Sequence, residues 1–148
     1  RSGMESLLQG GTSKGKSNLS SIAKDYIGEA DGKIADSAMR DQVLRYEMAQ
    51  RSLNLTKRRV IQESADGATP GPATSIFKVM STDLQKIYSD LATSLRGSQG
   101  FGWEGDAFTD TEREDLRVLL SSRAASIYSG SNEIQRNIIA KRVLGLPD

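Results

Sequence analysis

The stretch IYSGSNEIQRNIIAKRVLG, residues 127–145, joins a Ser-Gly-Ser break to an apolar helical pattern. The break places Ser131 at the N-cap of a helix, where its hydroxyl can accept a backbone N–H while other N–H groups stay free. Gly145 suits the C-terminal cap, and Pro147 cannot continue the helix. The apolar residues that mark the body of this helix are Ile134, Ile138 and Val143. This segment is therefore predicted to be the last helix of the fold.

Helical periodicity also dominates the rest of the chain, and no alternating strand pattern is present. Apolar stripes separated by glycine- and proline-rich breaks predict helices over roughly residues 17–31, 35–64, 76–96 and 109–128. Thr109 and Glu112 have capping-box spacing. The expected core stripes are Met39, Val43, Tyr46, Leu53 and Val60 in the second helix, and Ile76, Met80, Leu84, Ile87, Leu91 and Leu95 in the third. Helices with short connections predict an all-α, antiparallel four- or five-helix bundle that forms one domain over residues 1–148.

The composition excludes several classes of function. The net charge is only +1, so we expect no strongly basic face and no nucleic-acid partner. The chain contains neither cysteine nor histidine, which excludes disulfides, the usual zinc ligands and Ser-His or Cys-His nucleophile pairs. No apolar run approaches the ~20 residues that span a membrane, and no secretion signal is evident. The lack of cysteine is typical of a cytoplasmic protein, which is our expectation.

Residues 10–17, GGTSKGKS, match the phosphate-loop pattern G-x-x-x-x-G-K-S. In such a loop Lys16 would reach the phosphates and Ser17 would hold Mg²⁺, but the mechanism requires a buried strand before the loop. The nine preceding residues do not supply that strand, and no later segment offers an apolar strand ending in an aspartate. We therefore interpret this stretch as a polar loop between helices, with nucleotide binding as a remote alternative.

As a string, residues 127–145 closely resemble the terminal motif of the acyl-CoA dehydrogenases, commonly I-Y-E-G-T-x-E-I-Q-R-x-x-I-A-x-x-x-L-G. Residues 97–101, GSQGF, are similar to that family's G-G-x-G-[YF] loop between two bundle helices. Residues 70–78, PGPATSIFK, resemble the opening of its third bundle helix in a bacterial branch. The resemblance extends over nearly the whole chain but is confined to the family's C-terminal bundle, so this chain is expected to be a fragment of a longer flavoprotein.

The resemblance implies an FAD-dependent enzyme that dehydrogenates the α,β bond of an acyl-CoA thioester and passes electrons to an electron-transfer acceptor. By the match, Gly130, Ser131 and Glu133 stand where family members contact FAD. Gly97 and Ser98 belong to a loop that approaches the flavin from a neighbouring subunit. From the residues alone, Ser131 is an N-cap and Glu133 a first-turn carboxylate that the helix dipole favours.

The catalytic base is the point at which this chain departs from the family. Ser129 stands where many members carry the glutamate of Y-E-G-T, and a serine cannot replace that base. A second group of members places the base in a Glu-Arg pair at the start of the first bundle helix. Either Glu5 is that base, with Ser6 in place of the arginine, or Arg1 is the arginine and the glutamate lies before it. The family's flavin-phosphate arginine has no counterpart near residues 28–32.

The last helix is apolar in two directions, with Ile134 and Ile138 on one side and Ile139 and Val143 on another. A small bundle can bury one of these faces, while the other would form an exposed apolar patch. We therefore predict self-association, or pairing with a paralogous subunit, through the last two helices. The family's assembly as a dimer of dimers implies the same. A non-catalytic subunit that keeps this bundle for oligomerisation is the alternative function.

Overall fold

The computed structural model describes residues 17–65, 71 and 74–147. Its helices are α1 (Leu19–Tyr26), α2 (Ser37–Ala65), α3 (Thr74–Leu95), α4 (Asp110–Ser122) and α5 (Asn132–Ile138). Shorter turns of helix follow three of them: 3-10 turns at Gly97–Phe101 and Arg123–Ser126, and a π-helical turn at Ile139–Val143. The predicted all-α bundle is confirmed, and α3 lies at its centre because it contacts each of the other four helices.

The predicted first helix, residues 17–31, is wrong in its second half. Gly28, at φ 102°, ends α1, and a short antiparallel hairpin follows. Asp31 and Gly32 form the hairpin turn with φ values of 51° and 75°. Two-residue hairpin loops need positive φ at both positions, and Asp-Gly is among the pairs that adopt it most readily. The two strands are β1 (Glu29–Ala30) and β2 (Lys33–Ile34).

The larger apolar core lies between α1, the hairpin, α2 and the C-terminal half of α3. Ala23 and Ala92 are completely buried where α1 meets α3. The Tyr88 hydroxyl donates to the Ser17 carbonyl at 2.9 Å, and burial raises the pKa of Tyr88 to about 12. The buried members are Leu19, Ile22, Ala23, Ile34, Val43, Tyr88, Leu91, Ala92 and Leu95. This core holds the end of α3 in place, directly before the Gly97–Phe101 turn.

A second, smaller core lies between α2 and the N-terminal half of α3. Its buried members are Leu53, Phe77 and Leu84. The predicted stripe of α2 is confirmed, since its members are either buried or packed against one of the two cores. The predicted stripe of α3 is partly wrong: Ile87 is 45% exposed, whereas Phe77 and Tyr88 are buried. Neighbours surround α3 on several sides, so its buried face is wider than a single stripe.

The predicted capping box at the start of α4 is confirmed. The Thr109 hydroxyl accepts the Glu112 backbone N–H at 3.2 Å, and the Glu112 carboxylate accepts the Thr109 N–H at 2.7 Å. The predicted extent of this helix, to about residue 128, is wrong, because α4 ends at Ser122 and tightens into a 3-10 turn. The Ser122 hydroxyl donates back to the Leu119 carbonyl at 2.8 Å, and such bonds compete with regular helix.

The last helix begins and ends where the sequence predicts, with Ser131 as its N-cap and Gly145 at φ 67° after its final turn. Its second half is a π-helical turn, in which the Leu144 N–H donates to the Ile139 carbonyl at 3.0 Å. This widening was not predicted, because apolar spacing does not distinguish an α turn from a π turn.

Apolar side chains remain exposed around the last helix. We call this set the terminal apolar surface: Ile127, Tyr128, Ile134, Val143, Leu144 and Leu146. Ile134, on one of the two predicted apolar sides, is 53% exposed, and Val143, on the other, is 39% exposed. Among the helices in the described ranges, none combines the length and apolar character needed to cross a membrane.

Candidate functional site

The two groups of predicted flavin contacts lie near different parts of α3. Gly97 and Ser98 follow its C-terminal end directly and are exposed. The segment that begins α5 is anchored instead beside Thr82, in the first half of α3. With a rise of 1.5 Å per residue, Thr82 and Arg96 are separated by about 20 Å along the helix. Within one copy of the chain, the two groups are therefore attached to α3 at positions about 20 Å apart.

The chain reverses direction just before α5 through two consecutive residues with left-handed backbone. Ser129 has φ 56° and Gly130 has φ 88°. A left-handed conformation is strained for a serine, and the glycine beside it adopts this conformation at no steric cost. A Cβ atom on Gly130 would lie 2.7 Å from the Gln135 side-chain nitrogen, which can move aside. Gly130 itself is exposed to solvent.

Ser131 and Glu133 are both engaged in capping α5. The Ser131 hydroxyl oxygen accepts the Ile134 N–H at 3.4 Å, which confirms the N-cap interpretation. Hydrogen bonds from its own backbone N–H and from Ser131 lower the pKa of the exposed Glu133 carboxyl, and the charges of Arg136 and Lys86 lower it further. Glu133 is consequently a stabilised carboxylate and a weaker proton acceptor than a free one.

Asn132, which the sequence analysis missed, anchors the start of α5. Its side chain is buried, and its amide donates to the Thr82 hydroxyl at 3.0 Å and to the Asp83 carboxylate at 3.3 Å. Asp83 also lies 3.7 Å from the Arg136 guanidinium, one turn further along α5. These bonds fix the Gly130–Ser131 segment relative to α3. A polar residue at a helix start usually faces solvent, so the sequence carries no signal for this role.

Lys78 holds the 3-10 turn that precedes this segment. Its ammonium donates to the Ala125 carbonyl at 2.5 Å and lies 5.5 Å from the centre of the Tyr128 ring. A cation over an aromatic face is attracted by the ring quadrupole. Lys78 is the final residue of the PGPATSIFK stretch, residues 70–78. This residue of the motif therefore has a structural role in the fold.

The turn at Gly97–Phe101 packs tightly on the last turn of α3. A Cβ atom on Gly100 would lie 2.3 Å from the Thr93 carbonyl oxygen, which is backbone and cannot rotate away. Two aromatic side chains are exposed beside the turn, Phe101 and Trp103. The Arg117 guanidinium lies 5.4 Å from the centre of the Trp103 ring. The turn therefore exposes glycine backbone and aromatic rings while it is packed closely on the end of α3.

Next to the Gly97–Phe101 turn lies a buried ion pair, which the sequence analysis also missed. Arg96, immediately before the turn, pairs with Asp115 of α4, and both residues are buried. Arg96 also donates to the Ala92 carbonyl at 3.1 Å and stacks over the Tyr26 ring at 5.4 Å. The Tyr26 hydroxyl in turn donates to the Glu112 carboxylate at 2.6 Å. One polar network thus ties α1, α3 and α4 together beneath the glycine turn.

The pKa values of the two carboxyls in this network, Asp115 and Glu112, are shifted in opposite directions. Burial raises the pKa of Asp115 more than Arg96 lowers it. Burial also raises the pKa of Glu112, but hydrogen bonds from Tyr26 and Thr109 outweigh that effect and leave it below the usual value. The Nε of Arg96 and the hydroxyl of Thr93 are buried without a hydrogen-bond partner in the described part of the chain.

The arrangement around α5 offers binding surface and little acid–base chemistry. Ser129, which by the resemblance stands at the position of the common base, provides only a hydroxyl, and the carboxylate of Glu133 is held by its cap. Glu5, the candidate base, lies outside the described residues, as do Lys16 and most of the 10–17 loop. Among the residues that are described, no group of three or more acidic, His or Cys side chains could hold a metal ion.

The sequence of this chain is similar to a known protein family and to two of its members. A family model described as "Acyl-CoA dehydrogenase, C-terminal domain" matches residues 21–144. The chain is 35% identical over 132 residues to acyl-CoA dehydrogenase IpdE1 of Mycolicibacterium smegmatis, a match covering 88% of this chain and 30% of that protein. It is 36% identical over 95 residues to the protein of that name from Mycobacterium tuberculosis, covering 60% of this chain and 24% of the other.

A solved structure shares the fold. The ChsE4–ChsE5 complex from Mycobacterium tuberculosis superposes with a TM-score of 0.68 over 98% of this chain and 35% of the matched chain. At 20% sequence identity this similarity shows the fold alone. The chain therefore spans about a third or less of the length of the proteins it matches, at 30%, 24% and 35%.

Proposed function

The chain belongs to the acyl-CoA dehydrogenase family, as its C-terminal helical domain, and from this premise we propose that it is part of an FAD-dependent enzyme that dehydrogenates the α,β bond of an acyl-CoA thioester. The observation that carries the proposal is the family match over residues 21–144, which includes both glycine-containing segments of the candidate site. FAD, when bound, supplies the hydride acceptor. The described residues contribute binding and positioning.

The glycine segments suit contact with a large planar cofactor. Gly97, Ser98 and Gly130 are exposed, and at the two glycines no side chain keeps the backbone away from a ligand. The separation of about 20 Å along α3 supports a shared site, in which one copy contributes the Gly130–Ser131 segment and another contributes the Gly97 turn. Asn132 and Arg96 are positioning residues in this proposal, since each holds one of the two segments on α3.

The α-proton acceptor is proposed to be Glu5 or a glutamate that precedes Arg1. Neither side chain described near α5 suits the role, because Ser129 is not basic and the pKa of Glu133 is lowered by its hydrogen bonds. An acyl-CoA substrate and an electron-transfer acceptor belong to the same proposal. A cytoplasmic location remains an expectation from composition.

We expect residues 1–148 alone to retain little FAD and to show no dehydrogenase activity, because the remainder of the flavin pocket lies elsewhere in the longer protein. The longer protein should copurify with FAD, and an acyl-CoA should bleach the flavin absorbance.

In the longer protein, Gly130→Ala is expected to weaken FAD binding about tenfold, which corresponds to ~1.4 kcal/mol. FAD affinity is measured by fluorescence titration of the apoprotein.

The matched control is Gly105→Ala, which places the same methyl group on a left-handed glycine, at φ 101°, that is not among the predicted flavin contacts. It should carry a similar strain and leave FAD affinity unchanged. Near-stoichiometric flavin and turnover in the 148-residue chain would contradict the requirement for a longer protein. Equal loss of affinity in both variants would show that strain, and not flavin contact, explains the effect of Gly130→Ala.

A second candidate function, a non-catalytic subunit of the same fold, is favoured by one observation. By the resemblance, Ser129 stands at the position of the common base, and a serine cannot act as that base. The experiment above separates the two candidates, because a longer protein that assembles but neither binds FAD nor bleaches with acyl-CoA fits only the non-catalytic subunit.

We further propose that the terminal apolar surface contacts another copy or a paralogous subunit. Light scattering at micromolar concentration should give a mass at least twice that of the monomer. Leu144→Glu is expected to lower this mass because it places a charge in the contact; Ile139→Glu should act likewise, although Ile139 is half-buried. Leu120→Glu is the control, since Leu120 is similarly exposed but lies on α4. A monomeric unmodified chain would overturn this proposal.

A further inference from the structure

Lys57, near the C-terminal end of α2, is partly buried without a counter-charge. Its side chain is half-buried, whereas those of Arg58 and Arg59 are exposed. Leu53 and Val60, one turn before and one turn after it, are buried in the second core or packed against that core. Within the described ranges, Lys57 has no hydrogen-bond or ion-pair partner. A lysine therefore lies at the edge of an apolar cluster with no carboxylate to neutralise it.

These surroundings favour the neutral amine of Lys57. Burial lowers the pKa of its ammonium group. A larger fraction of the side chain is then uncharged than in an exposed lysine, and only the uncharged amine has a lone pair for nucleophilic attack. The carboxylates of α2 that are nearest in sequence contact other residues: Glu63 lies 3.7 Å from Arg59, and Glu47 accepts the Ser20 hydroxyl at 3.0 Å. Lys57 is thus suited to act as a nucleophile.

Two arginines on α2 can hold a phosphate-bearing reactant beside Lys57. Arg51 and Arg58 are exposed and lie two turns apart on one face, about 10 Å along the helix. Neither has an ion-pair partner in the part of the chain that the structure describes. Guanidinium groups bind phosphate oxygens through paired hydrogen bonds. Coenzyme A carries its phosphates away from the thioester, so these arginines can bind an acyl-CoA while the thioester reaches Lys57.

We propose that Lys57 is a modification site, acylated on its Nζ by an acyl-CoA whose phosphates are bound by Arg51 and Arg58. The Nζ lone pair attacks the thioester carbonyl carbon, a C–N bond forms and the C–S bond breaks. Coenzyme A leaves as a thiolate, and the proton lost from Nζ passes to that thiolate or to water. The product is a neutral amide, so one positive charge is removed from α2. The inference rests on the proposed function only for the class of acyl donor.

Acetyl-CoA is the probe, because it has no β carbon and cannot undergo the proposed dehydrogenation. The longer protein is incubated with acetyl-CoA and digested, and mass spectrometry follows the acetylated fraction of each lysine over time. We expect Lys57 to react roughly tenfold faster than Lys86, which is also half-buried but lies 3.2 Å from the Asp83 carboxylate. Acetylation of Lys57 at the rate of Lys86 or below would overturn the proposal, whether or not a longer acyl-CoA bleaches the flavin.

The double variant Arg51→Gln, Arg58→Gln tests the phosphate contacts. It is expected to slow acetylation of Lys57 about threefold with acetyl-CoA. It should have no effect with S-acetyl-N-acetylcysteamine, a thioester without phosphates. The matched control is Arg45→Gln, Arg59→Gln, which removes the same charge from α2 at arginines that already pair with carboxylates, and this variant should leave both rates unchanged. Circular dichroism shows whether each variant keeps its helices, and equal slowing with both thioesters would overturn the role given to the two arginines.

Discussion

Asp115→Ala is expected to lower the free energy of unfolding by about 3–5 kcal/mol, because it leaves the Arg96 guanidinium buried without its counter-charge. The Arg96 side chain is only 3% exposed, so water cannot replace the lost carboxylate. For a domain of this size, the loss corresponds to a decrease in melting temperature of about 10 °C. Urea denaturation followed by circular dichroism measures the change.

Two controls separate the buried charge from the general effect of losing an ion pair. Asp90→Ala removes the carboxylate that pairs with Arg123, and both of those side chains are about half exposed. Such a surface pair is expected to contribute under ~1 kcal/mol. The double variant Arg96→Met, Asp115→Leu should recover most of the stability, because an apolar pair needs no desolvated charge. Equal losses for Asp115→Ala and Asp90→Ala would contradict the role given to burial.

The features that sequence could predict are those with local causes. The Thr109–Glu112 capping box, the Ser131 N-cap and the Gly145 end of the last helix each depend on residues within a few positions of one another. The Asp31-Gly32 hairpin is equally local. Helical periodicity alone does not show this hairpin, although Asp31 and Gly32 favour a tight turn.

The features that sequence could not predict depend on partners distant in the chain. Arg96 and Asp115 are polar residues in helical segments, and nothing in their own surroundings indicates that they face each other. Asn132 and Thr82 are 50 positions apart. Buried polar pairs of this kind are settled by tertiary packing, and therefore only coordinates or an alignment of relatives can reveal them.

The candidate site has features of both kinds, those with local causes and those that depend on partners distant in the chain. The resemblance identified Gly97, Ser98, Gly130, Ser131 and Glu133, and the structure explains the local geometry of each segment. Spacing along the sequence gave no indication that α3 separates the two groups by about 20 Å. The proposed site, assembled from two copies, depends on that separation, and in such a site each segment has to be held firmly by its own copy.

Gly100→Ala is expected to destabilise the fold by about 3 kcal/mol, although the glycine does not have a left-handed backbone. The added methyl group would lie 2.3 Å from the Thr93 carbonyl oxygen, and its relief requires the Gly97–Phe101 turn to move away from α3. Since the proposed flavin contacts Gly97 and Ser98 are in this turn, FAD occupancy of the longer protein should fall together with stability.

Gly105→Ala is the matched control, because it introduces backbone strain without a steric contact, whereas Gly100→Ala introduces a steric contact without that strain. Gly105 has φ 101°, which strains any other residue, but its Cβ position has no atom within 4 Å. Backbone strain alone costs about 1–2 kcal/mol, so this variant should lose less stability than Gly100→Ala. Urea denaturation of both variants measures the difference. If Gly105→Ala proved the more damaging, left-handed backbone would matter more here than contact with α3, and the turn would not be held by its packing on Thr93.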